Sequence, residues 1–176
     1  QAVVDDGGGR LWLGTRARGL LLVDAGGAIL RQVGADDGLG SDDVRAIVKD
    51  GDALVVGGDA GLSVVDEAGV HARFTGRRGA VRDIVVDGDV IWAASYGAGL
   101  VRVDDAGAYF FSDSAGFDDL YLSRIVIEGD DVWVTGNRGL WRLSRRELNA
   151  VAAGAASRVD IRLVEIDVYA EKQQQQ

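Results

Sequence analysis

The sequence predicts an all-β protein: a β-propeller of four-stranded antiparallel blades, with four blades in this chain and one short helix in the last blade. Three observations predict this fold class. A unit of roughly 40 residues recurs four times, short runs rich in β-branched and aromatic residues alternate with Gly/Asp turns, and helical periodicity is nearly absent. Because a single blade has no stable core of its own, the blades are expected to pack face to face.

A Gly-Leu pair marks the repeat. It stands at residues 19–20, 61–62, 99–100 and 139–140, and each time it opens a short, mainly apolar run. Shortly before each pair lies another predicted strand, and its equivalent positions are Trp12, Val55, Trp92 and Trp133. We interpret the tryptophans as apolar side chains packed between blades and not as ligand contacts.

Two further strands complete the unit. An inner strand precedes the Trp strand across an acidic, glycine-containing turn, and an outer strand follows the Gly-Leu strand in the first three units. The last unit is expected to end with its outer strand within residues 159–169. The predicted blades are residues 1–43, 44–80, 81–121 and 122–170, with residues 171–176 as a disordered tail or an expression remnant.

A helix is predicted at residues 145–153, inside blade 4. Ser144 and Glu147 have the spacing of a capping box, in which the serine oxygen accepts from the third helical amide and the glutamate reaches back. The following residues are alanine-rich, and Gly154 can end the helix in a left-handed cap.

Composition excludes several classes of function. The 28 acidic and 19 basic residues give a net charge of −9, which disfavours nucleic acid and anionic membranes as partners. Cysteine is absent, so disulfides, thiolate nucleophiles and cysteine metal sites are excluded. No apolar run reaches the about 20 residues that a spanning helix needs, so no membrane insertion is expected of this segment. Gln1 is not followed by a signal-peptide pattern.

No catalytic constellation is found, so the chain is predicted not to be an enzyme and to need no cofactor. His71 is the single histidine and is interpreted as structural or solvent-exposed. Acidic pairs such as Asp36-Asp37, Asp118-Asp119 and Asp130-Asp131 could supply oxygen ligands for calcium, but none has the spacing of a dedicated calcium loop. Turn formation explains them more simply, and no metal site is predicted.

Several stretches together resemble the two-component regulator propeller repeat. The DGL loop and the strand after it are matched by residues 37–44 (DGLGSDDV) and 43–48 (DVRAIV). The L-W-[IVL]-G-T strand is matched by residues 10–16 (RLWLGTR), and the G-G-L element by the Gly-Leu pair that follows. Residues 137–154 resemble the repeat and helix near the end of such arrays. Gly40 stands where the family usually has proline, and Gly57-Gly58 replaces the G-T pair in the second repeat. The resemblance implies the periplasmic or otherwise extracytoplasmic ligand-sensing region of hybrid histidine kinases and diguanylate cyclases, hence a non-catalytic sensory or protein-binding module.

Propeller geometry predicts where a ligand would bind. Loops between the second and third strands of a blade, and connections between blades, ring one mouth of the channel. That rim mixes charged, amide and aromatic groups, which suits a small polar or carbohydrate-like ligand. The predicted rim residues are Arg16, Arg18, Asp42, Asp59, Arg78, Tyr96, Tyr121, Asn137 and Arg138.

Two alternative functions stay open at this point. The chain could be a self-assembling or designed scaffold, in which two half-rings associate through open blade edges into a homodimeric, eight-bladed ring. The absence of Pro, Cys and Met fits a designed chain. A propeller lyase is the other alternative, but it would need a second candidate base beside His71. The sequence does not identify a ligand, the blade count of the closed ring, the compartment or the flanking domains.

Overall fold

The computed structural model describes residues 2–75, 79–112, 116–117 and 119–165. It contains four sheets of four antiparallel strands, and in each sheet the strands lie side by side in chain order. The strands are β1 Ala2–Gly7, β2 Arg10–Gly14, β3 Leu20–Val23 and β4 Ile29–Val33; β5 Val44–Asp50, β6 Ala53–Gly58, β7 Gly61–Val65 and β8 Val70–Thr75; β9 Ala80–Asp87, β10 Val90–Tyr96, β11 Gly99–Asp104 and β12 Gly107–Phe110; β13 Leu122–Glu128, β14 Asp131–Gly136, β15 Gly139–Ser144 and β16 Ile161–Val164. The predicted fold class is confirmed.

Left-handed glycines explain why the Gly-Leu pair recurs. The four glycines of the pair have φ values of 69°, 117°, 72° and 132°, at Gly19, Gly61, Gly99 and Gly139. Side chains rarely adopt this conformation. At Gly19 a Cβ atom would also lie 2.2 Å from the carbonyl oxygen of Val33, so the turn excludes every other residue.

The turns between the first and second strands of blades 2 to 4 are equally regular. Each is a two-residue Gly-Asp connection, and its glycine has a φ of 57°, 60° or 59° at Gly51, Gly88 or Gly129. Tight hairpins require this left-handed conformation, because it matches the twist of the two strands.

Three apolar clusters lie between consecutive blades. Trp12 of blade 1 packs against Ile47, Leu54 and neighbouring side chains of blade 2. Val55 has the equivalent place between blades 2 and 3. Trp92 lies between blades 3 and 4 and is fully buried. Trp12 and Trp92 therefore pack between blades, as the sequence indicated.

Helix α1 (Arg145–Ala152) joins β15 to β16 and buries Leu148 and Val151 against blade 4. The Ser144 hydroxyl accepts from the amide of Glu147 at 3.2 Å, as a capping box requires. The second predicted bond of the capping box, from Glu147 back to the start of the helix, differs from the prediction. The Glu147 carboxylate instead accepts from the amide of Asp160 at 2.7 Å and so fixes the chain ahead of β16. The helix ends one residue before the predicted limit of 153, and Gly154 follows with a φ of 74°.

Within the described ranges, none of the helices is long and apolar enough to cross a membrane.

Candidate functional site

Three of the predicted rim residues meet between blades 3 and 4. Tyr96 ends β10, Tyr121 precedes β13, and the two residues form an isolated antiparallel bridge. Their rings are in edge contact, with centroids 5.0 Å apart. The Asn137 side-chain amide donates to the Tyr96 hydroxyl at 3.2 Å. Since Asn137 and Tyr121 are exposed and Tyr96 is half-buried, this cluster presents the Tyr121 ring, part of the Tyr96 ring and an amide to solvent.

A buried carboxylate, that of Asp119, forms hydrogen bonds with the backbone beside this cluster. Asp119 is 1% exposed, and its oxygens accept from the Tyr121 amide at 3.1 Å and from the Trp141 indole at 3.0 Å. The same carboxylate accepts from the amide of Arg138 at 3.3 Å, and the Arg138 guanidinium lies 5.9 Å from the Trp141 ring. Asp119 thus fixes the backbone at two rim positions. Sequence reasoning classed it only with the turn-forming acidic pairs.

Three predicted rim residues of blades 1 and 2 have local partners instead. The Arg18 amide donates to the Thr15 hydroxyl at 2.9 Å, and the Arg18 carbonyl accepts from Gln32. The Asp42 carboxylate accepts from the amide of Ala35 at 2.8 Å, which stabilises the loop between blades 1 and 2. Asp59 forms an ion pair with Arg45 at 3.0 Å.

The last two predicted rim residues are Arg16 and Arg78. Arg16 is exposed in the loop between β2 and β3. Arg78 lies outside the residues that the structure describes.

The inner strands contribute residues that the sequence analysis missed. Arg45, Arg82, Ser123 and Arg124, from β5, β9 and β13, line one open cavity of about 220 Å³. Arg82 connects this cavity to the aromatic cluster, because its guanidinium lies 4.7 Å from the centre of the Tyr96 ring. The available signal was an arginine that recurs near the start of the inner strands of blades 2 to 4, in VRAIV, VRDIV and LSRIV. We call these four residues the channel-wall cluster.

The remaining candidates for chemistry are explained by local structure. The His71 ring lies 3.0 Å from the Asp66 carboxylate on the outer part of blade 2, and this hydrogen bond is the main cause of a lowered Asp66 pKa. Acidic side chains accept hydrogen bonds from backbone amides in the turns. Asp5 accepts from the amide of Gly7, and Asp24 accepts from the amide of Gly26. In the described part of the chain, no three His, Cys, Asp or Glu residues are grouped so that they could hold a metal ion.

No protein-family model matches the chain, and no curated protein matches it significantly. Solved structures do match. The extracellular domain of the proposed one-component system BT4673 from B. thetaiotaomicron is 18% identical, with a TM-score of 0.67 over 94% of this chain and 23% of that chain. The extracellular domain of the proposed hybrid two-component system BT3049 from B. thetaiotaomicron is 19% identical, with a TM-score of 0.64 over 81% of this chain and 21% of that chain. BamB from Moraxella catarrhalis, 19% identical, has a TM-score of 0.58 over 81% of this chain and 44% of that chain.

These likenesses establish the propeller fold. The chain spans less than a quarter of the length of the two extracellular domains.

Proposed function

We propose that this chain is a non-catalytic sensory module of a bacterial signal-transduction receptor and belongs to the two-component regulator propeller repeat family. The recurring repeat motifs support the family. The fold likeness to extracellular domains of proposed one-component and hybrid two-component systems supports both the sensory role and an extracytoplasmic location.

The cluster of Tyr96, Tyr121 and Asn137 is the single observation that carries the proposed ligand site. Exposed aromatic rings pack against the apolar faces of small ligands, and an amide can fix their orientation through a hydrogen bond. We therefore place a small polar or carbohydrate-like ligand at this mouth. The ligand would contact residues from both blades 3 and 4, and a difference in its affinity for two arrangements of these blades would provide the signal.

Two experiments test this function. A thermal-shift screen of small polar molecules, including mono- and disaccharides, should yield ligands that raise the Tm of the wild-type chain. Binding should fail when Tyr96→Ala and Tyr121→Ala are combined, whereas His71→Ala, on the outer part of blade 2, should bind as the wild type does. A ligand that binds the double variant with unchanged affinity would contradict the site.

The receptor assignment is tested on the gene. The complete reading frame that contains this chain should also encode a membrane-spanning segment and a signalling domain. A complete frame that lacks both would contradict the assignment. Turnover of any substrate that disappears in His71→Ala would contradict the non-catalytic role.

A second candidate function is self-assembly through the free faces of blades 1 and 4. It is favoured by apolar side chains that are exposed on these faces although the equivalent side chains of the other blades are buried. Val3 of β1 is 62% exposed, whereas the residues at the same place in the other inner strands are 7, 4 and 3% exposed: Ile47, Ile84 and Ile125. Those three pack against the preceding blade. Leu11, at the place of buried Leu54, is 40% exposed.

Blade 4 shows the opposite half of the same interface. Val126 pairs with Trp133 as Val85 pairs with Trp92, yet Val126 is 59% exposed and Trp133 is only partly buried. The face that holds a tryptophan against the next blade is therefore free in blade 4, and the face that would receive it is free in blade 1. We propose that blade 4 of one copy packs on blade 1 of a second copy, closing an eight-bladed ring.

Light scattering tests this association. The wild-type chain should have twice the 18.6 kDa mass of one chain. Trp133→Asp should have the mass of one chain, because a charge at the centre of the interface cannot be buried without a partner. The matched control is Ala72→Asp, which introduces the same charge at an exposed position of β8 in blade 2 and should leave the mass unchanged. A wild-type chain with the mass of one chain at all concentrations would contradict the proposal.

A further inference from the structure

The channel-wall cluster is produced by a repeated irregularity of the inner strands. In β5, β9 and β13 the pairing with the next strand shifts by one residue near the start of the strand. The residue left without a pairing partner is Arg45 in β5, Arg82 in β9 and Ser123 in β13. A bulge of this kind redirects a side chain out of the regular alternation of the strand. Three consecutive blades thus direct equivalent residues into one cavity.

The charge of two of the three arginines is compensated. Arg45 donates to Asp43 at 2.8 Å and to Asp59 at 3.0 Å. Arg124 lies 3.8 Å from Asp83, which also accepts from the amide of Ile125 in blade 4. None of these carboxylates is among the four residues that line the cavity.

Arg82 differs from both. Within the described ranges it has no ion pair, and its Nε atom is buried without a hydrogen-bond partner. A buried donor without an acceptor is unfavourable, and the guanidinium, with its five N–H donors in a fixed plane, is suited to a bidentate acceptor. The ring of Tyr96 contacts the guanidinium and orients it, but the ring accepts no conventional hydrogen bond from Nε.

We propose that the channel-wall cluster binds an oxyanion, a carboxylate or sulfate group carried by a small molecule. Arg82 binds two oxygens of the group through its two terminal nitrogens, and the Ser123 hydroxyl and exposed Arg124 complete the site. Arginine is the residue that best matches the planar geometry of carboxylates and the tetrahedral oxygens of sulfate and phosphate.

This inference rests on the proposed function and specifies its ligand. Because Arg82 contacts both the cavity and Tyr96, the oxyanion would lie in the channel while the body of the same molecule contacts the tyrosines. A small acidic ligand, such as an acidic sugar, combines these two features. The negative net charge of the chain makes such binding a property of this local cluster and not of the surface as a whole.

The arginine side chain itself gives the most direct readout. We would label the chain with ¹⁵N and follow the Arg Nε–Hε cross peaks during titration with sodium glucuronate, with inorganic sulfate, and with neutral glucose. Glucuronate should shift the Arg82 cross peak saturably, sulfate should shift it with weaker affinity, and glucose should leave it in place. Arg82→Gln should weaken glucuronate binding by about ten-fold or more, since the variant loses a charge-assisted hydrogen-bond pair.

Two further variants serve as controls. Arg162→Gln removes the same charge from an exposed position in β16 and should bind glucuronate as the wild type does. Arg82→Lys keeps the charge but loses the planar fork, and should bind glucuronate less well than the wild type. If Arg162→Gln weakens binding as much as Arg82→Gln, the attraction is non-specific and the inference is wrong.

The remaining outcomes separate this inference from the proposed function. If glucose binds as tightly as glucuronate and Arg82→Gln has no effect, the oxyanion inference is overturned while the ligand site at the tyrosines stands. An Arg82 cross peak that is unchanged by both anions overturns the inference as well. The sensory proposal would then depend on the thermal-shift screen and on the reading frame.

Discussion

Trp92 and Trp133 occupy equivalent positions in consecutive blades, but only Trp92 has a following blade to pack against. Trp92 is 0% exposed, its ring stacks with Phe111 at a centroid distance of 6.2 Å, and the Arg102 guanidinium lies 5.9 Å away. Trp92→Ala removes these contacts and leaves a cavity between blades 3 and 4. A buried tryptophan truncated to alanine costs about 3–5 kcal/mol, against a total of about 5–15 kcal/mol for a domain.

Trp133→Ala should cost much less in the single chain. Trp133 is partly exposed, and the Arg142 guanidinium lies 5.4 Å from its ring. Loss of such an exposed cation–π contact and of partial burial amounts to about 1 kcal/mol. The difference between the two variants, about 2–4 kcal/mol, measures the contribution of the following blade.

The assay is urea unfolding followed by far-UV circular dichroism, at a protein concentration where light scattering shows single chains. Trp92→Phe provides a milder variant in case Trp92→Ala does not fold. It should retain most of the stability, because the Trp92 indole N–H has no hydrogen-bond partner to lose. Equal losses for Trp92→Ala and Trp133→Ala would refute the reasoning, since both tryptophans would then be covered within one chain.

Three further predictions concern positions fixed by local geometry. Gly19→Ala should lower the Tm of the chain more than Gly8→Ala does. Both glycines have positive φ, but only a Cβ at Gly19 would meet a backbone atom, at 2.2 Å. Equal decreases in Tm would mean that the turn relaxes around the new side chain. Asp119→Ala should cost about 1–3 kcal/mol in urea unfolding by leaving the half-buried Trp141 indole without its acceptor, and a neutral result would contradict that role. Asp130 accepts from the Ser144 hydroxyl at 2.7 Å and from the amide of Arg146 at 2.8 Å, which lower its pKa below the usual 3.8. The stabilising contribution of the Asp130 carboxylate is therefore complete above the pKa of the unfolded state and is lost as pH falls through the pKa of the folded state. The Tm of Asp130→Asn should lie below that of the wild type at neutral pH and converge with it in acid. A difference in Tm that does not depend on pH would contradict this linkage.

The fold was predictable because its signals are local and repeated. A left-handed glycine is required in every Gly-Leu pair, and two-residue Gly-Asp hairpins fix the strand order without reference to distant residues. The tryptophan spacing indicated the blade interfaces for the same reason. In blades 1 and 3 the tryptophan packs against the following blade in the same way.

The candidate site was predictable only in part. Tyr96, Tyr121 and Asn137 were predicted together from loop position alone, and the structure brings them into contact. Arg82 was missed because its direction depends on a bulge, which a strand pattern does not reveal. The Glu147 partner was also missed, since the amide of Asp160 competes with the capping-box partner only once the chain returns to form β16.

We propose that the ligand binds at the mouth between blades 3 and 4. Amide chemical-shift mapping of the ¹⁵N-labelled chain, with ligands from the thermal-shift screen, tests this position. The largest saturable shifts should occur at Tyr96, Tyr121 and Asn137 and extend to Arg82. Shifts confined to the outer strands of the blades, with these four amides unmoved, would contradict it.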